Sequence, residues 1–295
     1  MLQSTPIFDI CSLSDFRQDD ILVSRFAPYL EHHKNLYAAH RHTFYHVVFF
    51  TDGAGSHNID FEDFSVKPDQ IYFMIPGQVH SWAFEGFTDG YIINFSDSFF
   101  QSFLLNAAYC ENFGFFSGNV HDAVINLPAV VAGKIRPLFE DIIKEWENSP
   151  AQTTDLMRVL MLQLFILVSR VNTDGFNKGP ASYNQTLLKS FQKLVEVHYK
   201  KLKLPKDYAA LLYITPNHLN AVCKDLLGLQ AGEIIRNRVI LEAKRLLTNP
   251  QLTITEIALE LNFNDNSYFT KFFRKTEEVT PEEFRKNILK QNNHE

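Results

Sequence analysis

The spacing of apolar positions changes twice along this chain. From His40 to Phe95 they fall in short runs broken by turn residues. HRHTFYHVVFF runs into Asp52-Gly53, a hairpin signal, and a second strand is predicted over Ser56–Phe61. Pro68-Asp69 turns into a strand over Gln70–Ile75, Pro76-Gly77 breaks it, and Gly90–Phe95 is another strand. Glu62-Asp63 reads as a solvated loop. Short strands at this spacing predict an antiparallel sandwich or small barrel. After Ser96 the period becomes helical. SDSFFQSFLLNAAY and PAVVAGKIRPLFEDIIKEWENS read as helices, the second kinked or interrupted at Pro137. TTDLMRVLMLQLFILVSRV is the most apolar helix. Met157, Leu160, Leu164, Leu167 and Val171 make a heptad-like seam along it. A helix apolar on nearly every side needs two partners, so the second is expected to be another copy of the chain. Residues 1–37 give no clear pattern.

NTDGFNKGPASY, rich in breakers and poor in apolar residues, reads as a linker. Everything beyond it is helical in pattern. Asn184–Tyr199 is amphipathic, with Leu187, Leu188, Phe191, Leu194 and Val195 on the core side. Pro205 suits a first helical position, and Thr215-Pro216 caps a second short helix that Gly228 stops. Two short helices with a tight turn between them form a helix–turn–helix. Leu219, Val222 and Leu226 face inward there, leaving Asn217, His218, Asn220, Ala221 and Lys224 outward. Gly232–Thr248 is a long connecting helix buried along Ile235, Val239, Ala243 and Leu246. Its Arg236, Arg238, Lys244 and Arg245 are placed to reach phosphates. Thr253 and Glu256 then form a capping box, Ile257, Ala258 and Leu261 face the core, and Asn262 stops the helix. Asn264 or Asp265 caps the next helix. Its apolar side is Phe269, Phe272 and Phe273, and its polar side includes Asn266, Ser267, Thr270, Lys271, Arg274 and Lys275. Thr280, Pro281 and Glu283 open a last helix.

Charge sharpens this division. The chain of 295 residues has a formal net charge of −6. Residues 181–295 carry about 17 Lys/Arg against about 13 Asp/Glu, so about +4, which leaves about −10 for the rest. A polyanion-binding module joined to an acidic partner domain has this balance. No apolar run of about 18 residues predicts a membrane span, and the start lacks the basic-then-apolar pattern of a signal peptide. Cys11, Cys110 and Cys223 have neither metal-like nor disulfide-like spacing, read as buried small hydrophobes, and suit a reducing cytoplasm. No phosphate loop, nucleophile elbow or paired-carboxylate motif is present, so no enzyme and no cofactor is expected.

The run ALELNFNDNSYFTKFFRK followed by TPEEFR resembles the signature of AraC/XylS-type transcription regulators, and the resemblance covers about 100 residues, Asn184 to Lys286. It implies two helix–turn–helix units joined by a long helix, reading successive major grooves of double-stranded promoter DNA. By that resemblance Asn217, Asn220 and Ala221 match base-facing positions of the first recognition helix, and Asn266, Ser267, Thr270 and Lys271 those of the second. His218, Lys224 and Arg274 are added from their outward spacing. Asn262 and Glu278 stand where the family usually has glycine.

HRHTFYH with PGQVH resembles the two cupin motifs, with His46 where a glutamate is usual. His40, His42 and His46 share strand parity and so one face. The resulting fold class is α+β: a cupin-like β-barrel with flanking helices over 1–171, a linker at 172–183, and an all-α double helix–turn–helix domain over 184–295. The first domain is expected to bind a small-molecule effector in a metal-free pocket lined by His40, His42, His46, Tyr72, His80, Trp82 and Tyr91. It is also expected to form a homodimer through helix 153–171. The alternative is a metal-dependent cupin enzyme with an appended DNA-binding domain, its metal held by His40, His42, His46 and His80.

Overall fold

The computed structural model describes residues 6–13, 20–101, 103–104, 109–110, 113–148, 151–171 and 183–291. The expected linker, apart from Tyr183, lies outside these, as does part of the expected helix after Ser96. Two compact units divide the chain, one over Pro6–Asn177 and another that takes in Lys178–Glu295.

The first unit contains strands β1 (Ile7–Phe8), β2 (Ile21–Arg25), β3 (His40–His42), β4 (Tyr45–Asp52), β5 (Gly55–Ile59), β6 (Glu62–Ser65), β7 (Gln70–Met74), β8 (Val79–Phe84), β9 (Asp89–Phe95) and β10 (Val124–Asn126). They form two five-stranded sheets, ordered β1-β3-β8-β5-β6 and β10-β7-β4-β9-β2. Its helices are α1 (Ile10–Leu13), α2 (Phe26–His32), α3 (Ser98–Gln101), α4 (Val120–Ala123), α5 (Ala129–Asn148) and α6 (Thr153–Ser169). β4 is central, with Val48 opposite both Tyr72 and Ile92. Because side chains alternate, β4 has two faces. Val47 and Phe49, with Ile71, Phe73, Ile93 and Phe95, pack against α5 and α6. Val48 and Phe50, with Tyr72, Met74 and Ile92, pack toward Ile59 and Trp82 of the other sheet and Phe26 of α2. Both faces are covered, so this strand reads as an almost continuous apolar run. Gly90 is required where β9 crosses β4, because a Cβ there would stand 2.0 Å from the Phe49 carbonyl oxygen.

Three sequence expectations change here. Glu62-Asp63 lie in β6 rather than a loop; it is an edge strand, and edge strands tolerate exposed charge. α5 runs unbroken through Pro137. Pro137 is exposed, and so is Gly133, whose carbonyl it leaves without a donor, so water can take that bond while buried Ile135, Leu138, Phe139 and Ile142 hold the helix to the sheet. The expected α6 seam also splits. Met157 and Leu164 are in the core with Met161, Phe165 and Val168, whereas Leu160, Leu167 and Val171 are half-buried against it, and the exposed apolar positions, Leu156 and Val159, lie off the seam.

The second unit is helical: α7 (Tyr183–His198), α8 (Pro205–Leu211), α9 (Pro216–Leu227), α10 (Ala231–Leu247), α11 (Ile254–Glu260), α12 (Asn266–Glu277) and α13 (Pro281–Gln291). One core joins Phe191 and Val195 of α7, Leu219 and Val222 of α9, Ile235, Val239 and Ala243 of α10, Ile257 and Ala258 of α11, and Phe269 and Phe273 of α12. Among the described residues no helix is long and apolar enough to cross a membrane. Cys110 and Cys223 are buried.

Candidate functional site

In the helical unit, α8–α9 and α11–α12 are two helix–turn–helix pairs, and local chemistry fixes the ends of their second helices. At α9, the Thr215 hydroxyl accepts from the His218 N–H at 3.2 Å, and Gly228 ends the helix in the left-handed region at φ 72°. At α12, the Asp265 carboxylate accepts from the Ser267 and Tyr268 N–H groups. Glu278 ends it at φ 62°, its N–H donating to the Arg274 carbonyl at 2.9 Å. The Thr253–Glu256 capping box forms at α11, and Asn262 follows it at φ 57°. Thr280 and Glu283 repeat the box at α13. On α9, Asn217, His218, Ala221 and Lys224 are exposed. On α12, Asn266, Ser267, Lys271 and Arg274 are exposed, and Thr270 is half-buried.

Some expected contacts are already engaged. Asn220 is half-buried, and its side-chain oxygen accepts from the Ala231 N–H at 3.0 Å, which ties α9 to the start of α10. Arg238 lies 3.9 Å from the Tyr199 ring centroid and pairs with Glu196 and Glu242. Arg245 is 3% exposed and also meets Glu242, and Lys244 meets Glu277. These three cations brace the unit instead of standing free for phosphate. Spacing could not reveal this, because it does not say where the acids lie. Tyr268, absent from the expected contacts, is 59% exposed, one turn before Lys271.

Between the sheets of the first unit lies a cluster of five buried imidazoles: His40, His42, His46, His57 and His80. β3 supplies two, β4, β5 and β8 one each, and the His40–His80 pairing sets adjacent rings 4.1 Å apart. The His40 Nδ1–H donates to the Ala38 carbonyl at 2.7 Å. The His46 Nδ1–H donates to the Asn94 side-chain oxygen at 2.6 Å. His57 Nε2 meets His80 Nδ1 at 3.0 Å, and His80 Nε2 meets His42 Nε2 at 2.8 Å. Burial pushes all five below the ordinary imidazole range, helped at His42, His57 and His80 by the neighbouring imidazoles; the backbone bond at His40 only partly opposes this. His40 is pushed down to about 4 and His46 to about 3. The rings are therefore neutral at pH 7, each with a lone pair. Trp82 and Tyr72 wall the cluster, 5.1 Å from His80 and 4.9 Å from His57.

The AraC-like ligand-binding domain model matches residues 24–164, and a helix-turn-helix domain model matches residues 208–287. The chain belongs to the AraC family. Regulatory protein PocR of Salmonella typhimurium is 27% identical over 171 residues, covering 52% of this chain and 56% of its own. The transcriptional activator RhaR of an Enterobacter species is 20% identical, covering 85% and 88%. The chain spans about half the length of the curated relatives it first matches. The crystal structure of ToxT from Vibrio cholerae aligns with TM-score 0.43 and 14% identity over 90% of this chain and 96% of its own.

Within the AraC-like ligand-binding domain the structure brings together His40, His42, His46, His80, Tyr72 and Trp82. It does not bring Tyr91 to them. Tyr91 stands on the opposite face of the sheet, where its hydroxyl donates to Glu140 and Arg25 lies 4.6 Å from its ring. Strand parity explains the difference: Asn94, the His46 partner, is three residues from Tyr91 along β9. Sequence reasoning missed His57. GSHNIDF alternates so that His57 and Ile59 share a face, and that parity was the available signal.

Proposed function

We propose that this AraC-type protein is a transcription regulator. It binds double-stranded promoter DNA through α9 and α12, and it responds to a small molecule bound in its N-terminal unit. One observation carries the reading: α9 and α12 are each capped at both ends, bury one side, and present a row of exposed polar side chains within the span matched by the helix-turn-helix family. Asn266, Ser267, Lys271 and Arg274 with Asn217, His218, Ala221 and Lys224 are the proposed contacts, some to base edges and some to phosphate. Asn220 contributes through the position of α9. The effector shifts the availability of the DNA-binding unit, a population shift between two arrangements. The protein acts in the cytoplasm as a regulator and not as a catalyst. The exposed Leu156 and Val159 on α6, beside half-buried Leu160, support pairing of two copies. Genome-wide mapping of DNA bound by the protein tests the reading. A shared motif with paired half-sites upstream of genes is expected, and an even background without enriched sites refutes it.

A further inference from the structure

We propose that the intersheet histidine cluster is a binding site for a divalent late-transition-metal ion, with His40, His42 and His80 as ligands and His46 as the fourth. The first argument concerns protons. A carbonyl oxygen can only accept, so the His40 Nδ1 contact with Ala38 places the proton on Nδ1 and a lone pair on Nε2. The Asn94 oxygen does the same for His46. Both Nε2 atoms are buried and have no partner. The row His57–His80–His42 has a different defect. A neutral His80 has one N–H, so it donates to one neighbour and accepts from the other. In either direction the row ends on one bare lone pair and one bare N–H, at His57 Nδ1 and His42 Nδ1, and neither atom has a partner. Each unpaired buried group carries an uncompensated desolvation cost, which apolar side chains at these positions would avoid.

The second argument is spacing. Ligand nitrogens of His40, His42 and His80 all lie within 4.8 Å of one another. Zinc–imidazole bonds of about 2.0–2.1 Å put tetrahedral ligand atoms about 3.3–3.4 Å apart. The His42–His80 contact at 2.8 Å has to open slightly, the wider separations have to close, and His46, whose ring centroid is 5.1 Å from that of His42 and 5.3 Å from that of His80, has to move in as the fourth ligand. An ion there takes the lone pairs of His40, His42, His80 and His46. It also fixes the direction of the row: His80 ligates through Nε2, so its Nδ1–H donates to His57 Nε2. His57 is thus a positioning residue, the hydrogen-bonded outer partner that ligating imidazoles usually have. A set made only of imidazoles suits Zn(II), Co(II), Ni(II) or Cu(II) over Mg(II) or Ca(II). That this ion is the sensed species rests on the regulator reading above.

The test uses the full chain, stripped with chelator, dialysed and titrated with Co(II) as the probe. One Co(II) per chain is expected, with visible absorption of four-coordinate intensity that Zn(II) abolishes by displacement. H40Q and H80Q should lose the band while circular dichroism shows a folded chain. H57Q should keep the band shape and bind about 10–100-fold more weakly. H121Q, at an exposed histidine outside the cluster, should match the wild type. A wild-type titration without a saturable band overturns the proposal, as does a band that survives in H40Q. Should H80Q not fold, those two measurements still decide. Affinity for a mapped promoter fragment is then compared with and without Co(II). A change supports sensing; equal affinities overturn the sensing role and leave the site standing, and no DNA binding in either state overturns the regulator reading alone.

Discussion

Glu278 ends α12 in the same backbone conformation in which Gly228 ends α9: φ 62° and ψ −7° against φ 72° and ψ −1°. The two helices form an internal experiment on one position. A side chain in the left-handed region costs about 1–2 kcal/mol, and glycine relieves it. Glycine also loosens the unfolded chain, which offsets about 0.4–1 kcal/mol of the gain. The net expectation for Glu278→Gly is a stabilisation of about 1 kcal/mol. Removing a carboxylate from the negative end of a helix acts in the same direction. Gly228→Ala should cost about as much, and for conformational reasons only, since nothing lies within 4 Å of a Cβ built there. For a unit of this size about 1 kcal/mol moves the melting midpoint by about 4–8 °C. Both tryptophans, Trp82 and Trp146, lie in the other unit, so tryptophan fluorescence follows that unit, while far-UV circular dichroism follows the helices of both units. The E278G protein should show a helical transition raised by several degrees and an unmoved fluorescence transition; G228A should show the reverse helical shift. If E278G is neutral while G228A loses its full share, backbone strain at Glu278 is the wrong account.

Four further outcomes are expected. Asn266→Ala with Lys271→Ala should weaken binding to a mapped site by more than it weakens binding to random duplex, by about 1–3 kcal/mol for a lost bidentate base contact; equal losses across a salt series would remove base reading from these residues. Leu156→Glu with Val159→Glu should give folded monomers in sedimentation, and a folded dimer would exclude this face. Leu164→Glu is expected to unfold the domain, because Leu164 is fully buried. Glu242→Gln should destabilise the helical unit by about 3 kcal/mol in denaturant titration, since it strips a carboxylate from buried Arg245 and from Arg238. Burial raises the Glu242 carboxyl, but Arg245 and Arg238 outweigh it and hold it below the ordinary 4.5. Its contribution is therefore whole above pH about 4.5 and is lost as pH falls through the lower folded value, and E242Q should lack that part of the acid dependence.

The helical unit was nearly transparent to sequence because its signals are local. Thr215, Gly228, the Thr253–Glu256 box and the Thr280–Glu283 box act on neighbours within one turn, and all formed where expected. The sheet unit was legible in β4, β7 and β9, where buried runs are long, and in β5, which follows the Asp52-Gly53 turn signal. β2 and β8 were not legible, since their meaning depends on partners 74 and 40 positions away, Phe95 for Ile21 and His40 for His80. The same gap hid His57. A histidine two positions from an isoleucine looks like an ordinary alternating strand until β5 is laid beside β8.

Helix periodicity also says which side chains point outward, without saying which are free. On α9, Asn220 points away from the core, yet its amide oxygen is held at the first N–H of α10. That bond satisfies one of the unpaired donors at a helix start, and it sets the spacing of α9 from the connecting helix. On α12 Asp265 caps the helix as Thr215 caps α9, and Asn266 stays exposed, its amide donating to the Thr255 hydroxyl at 3.4 Å. The two helices proposed to face DNA therefore differ in more than composition. α9 commits Asn220 to architecture, and Ala221 beside it can offer a methyl contact alone, which leaves Asn217 and His218 as its exposed base-reading side chains. α12 keeps Asn266, Lys271 and Arg274 exposed. Sequence discrimination should consequently rest on the half-site under α12, with α9 supplying register through Lys224 and its capped N-terminus.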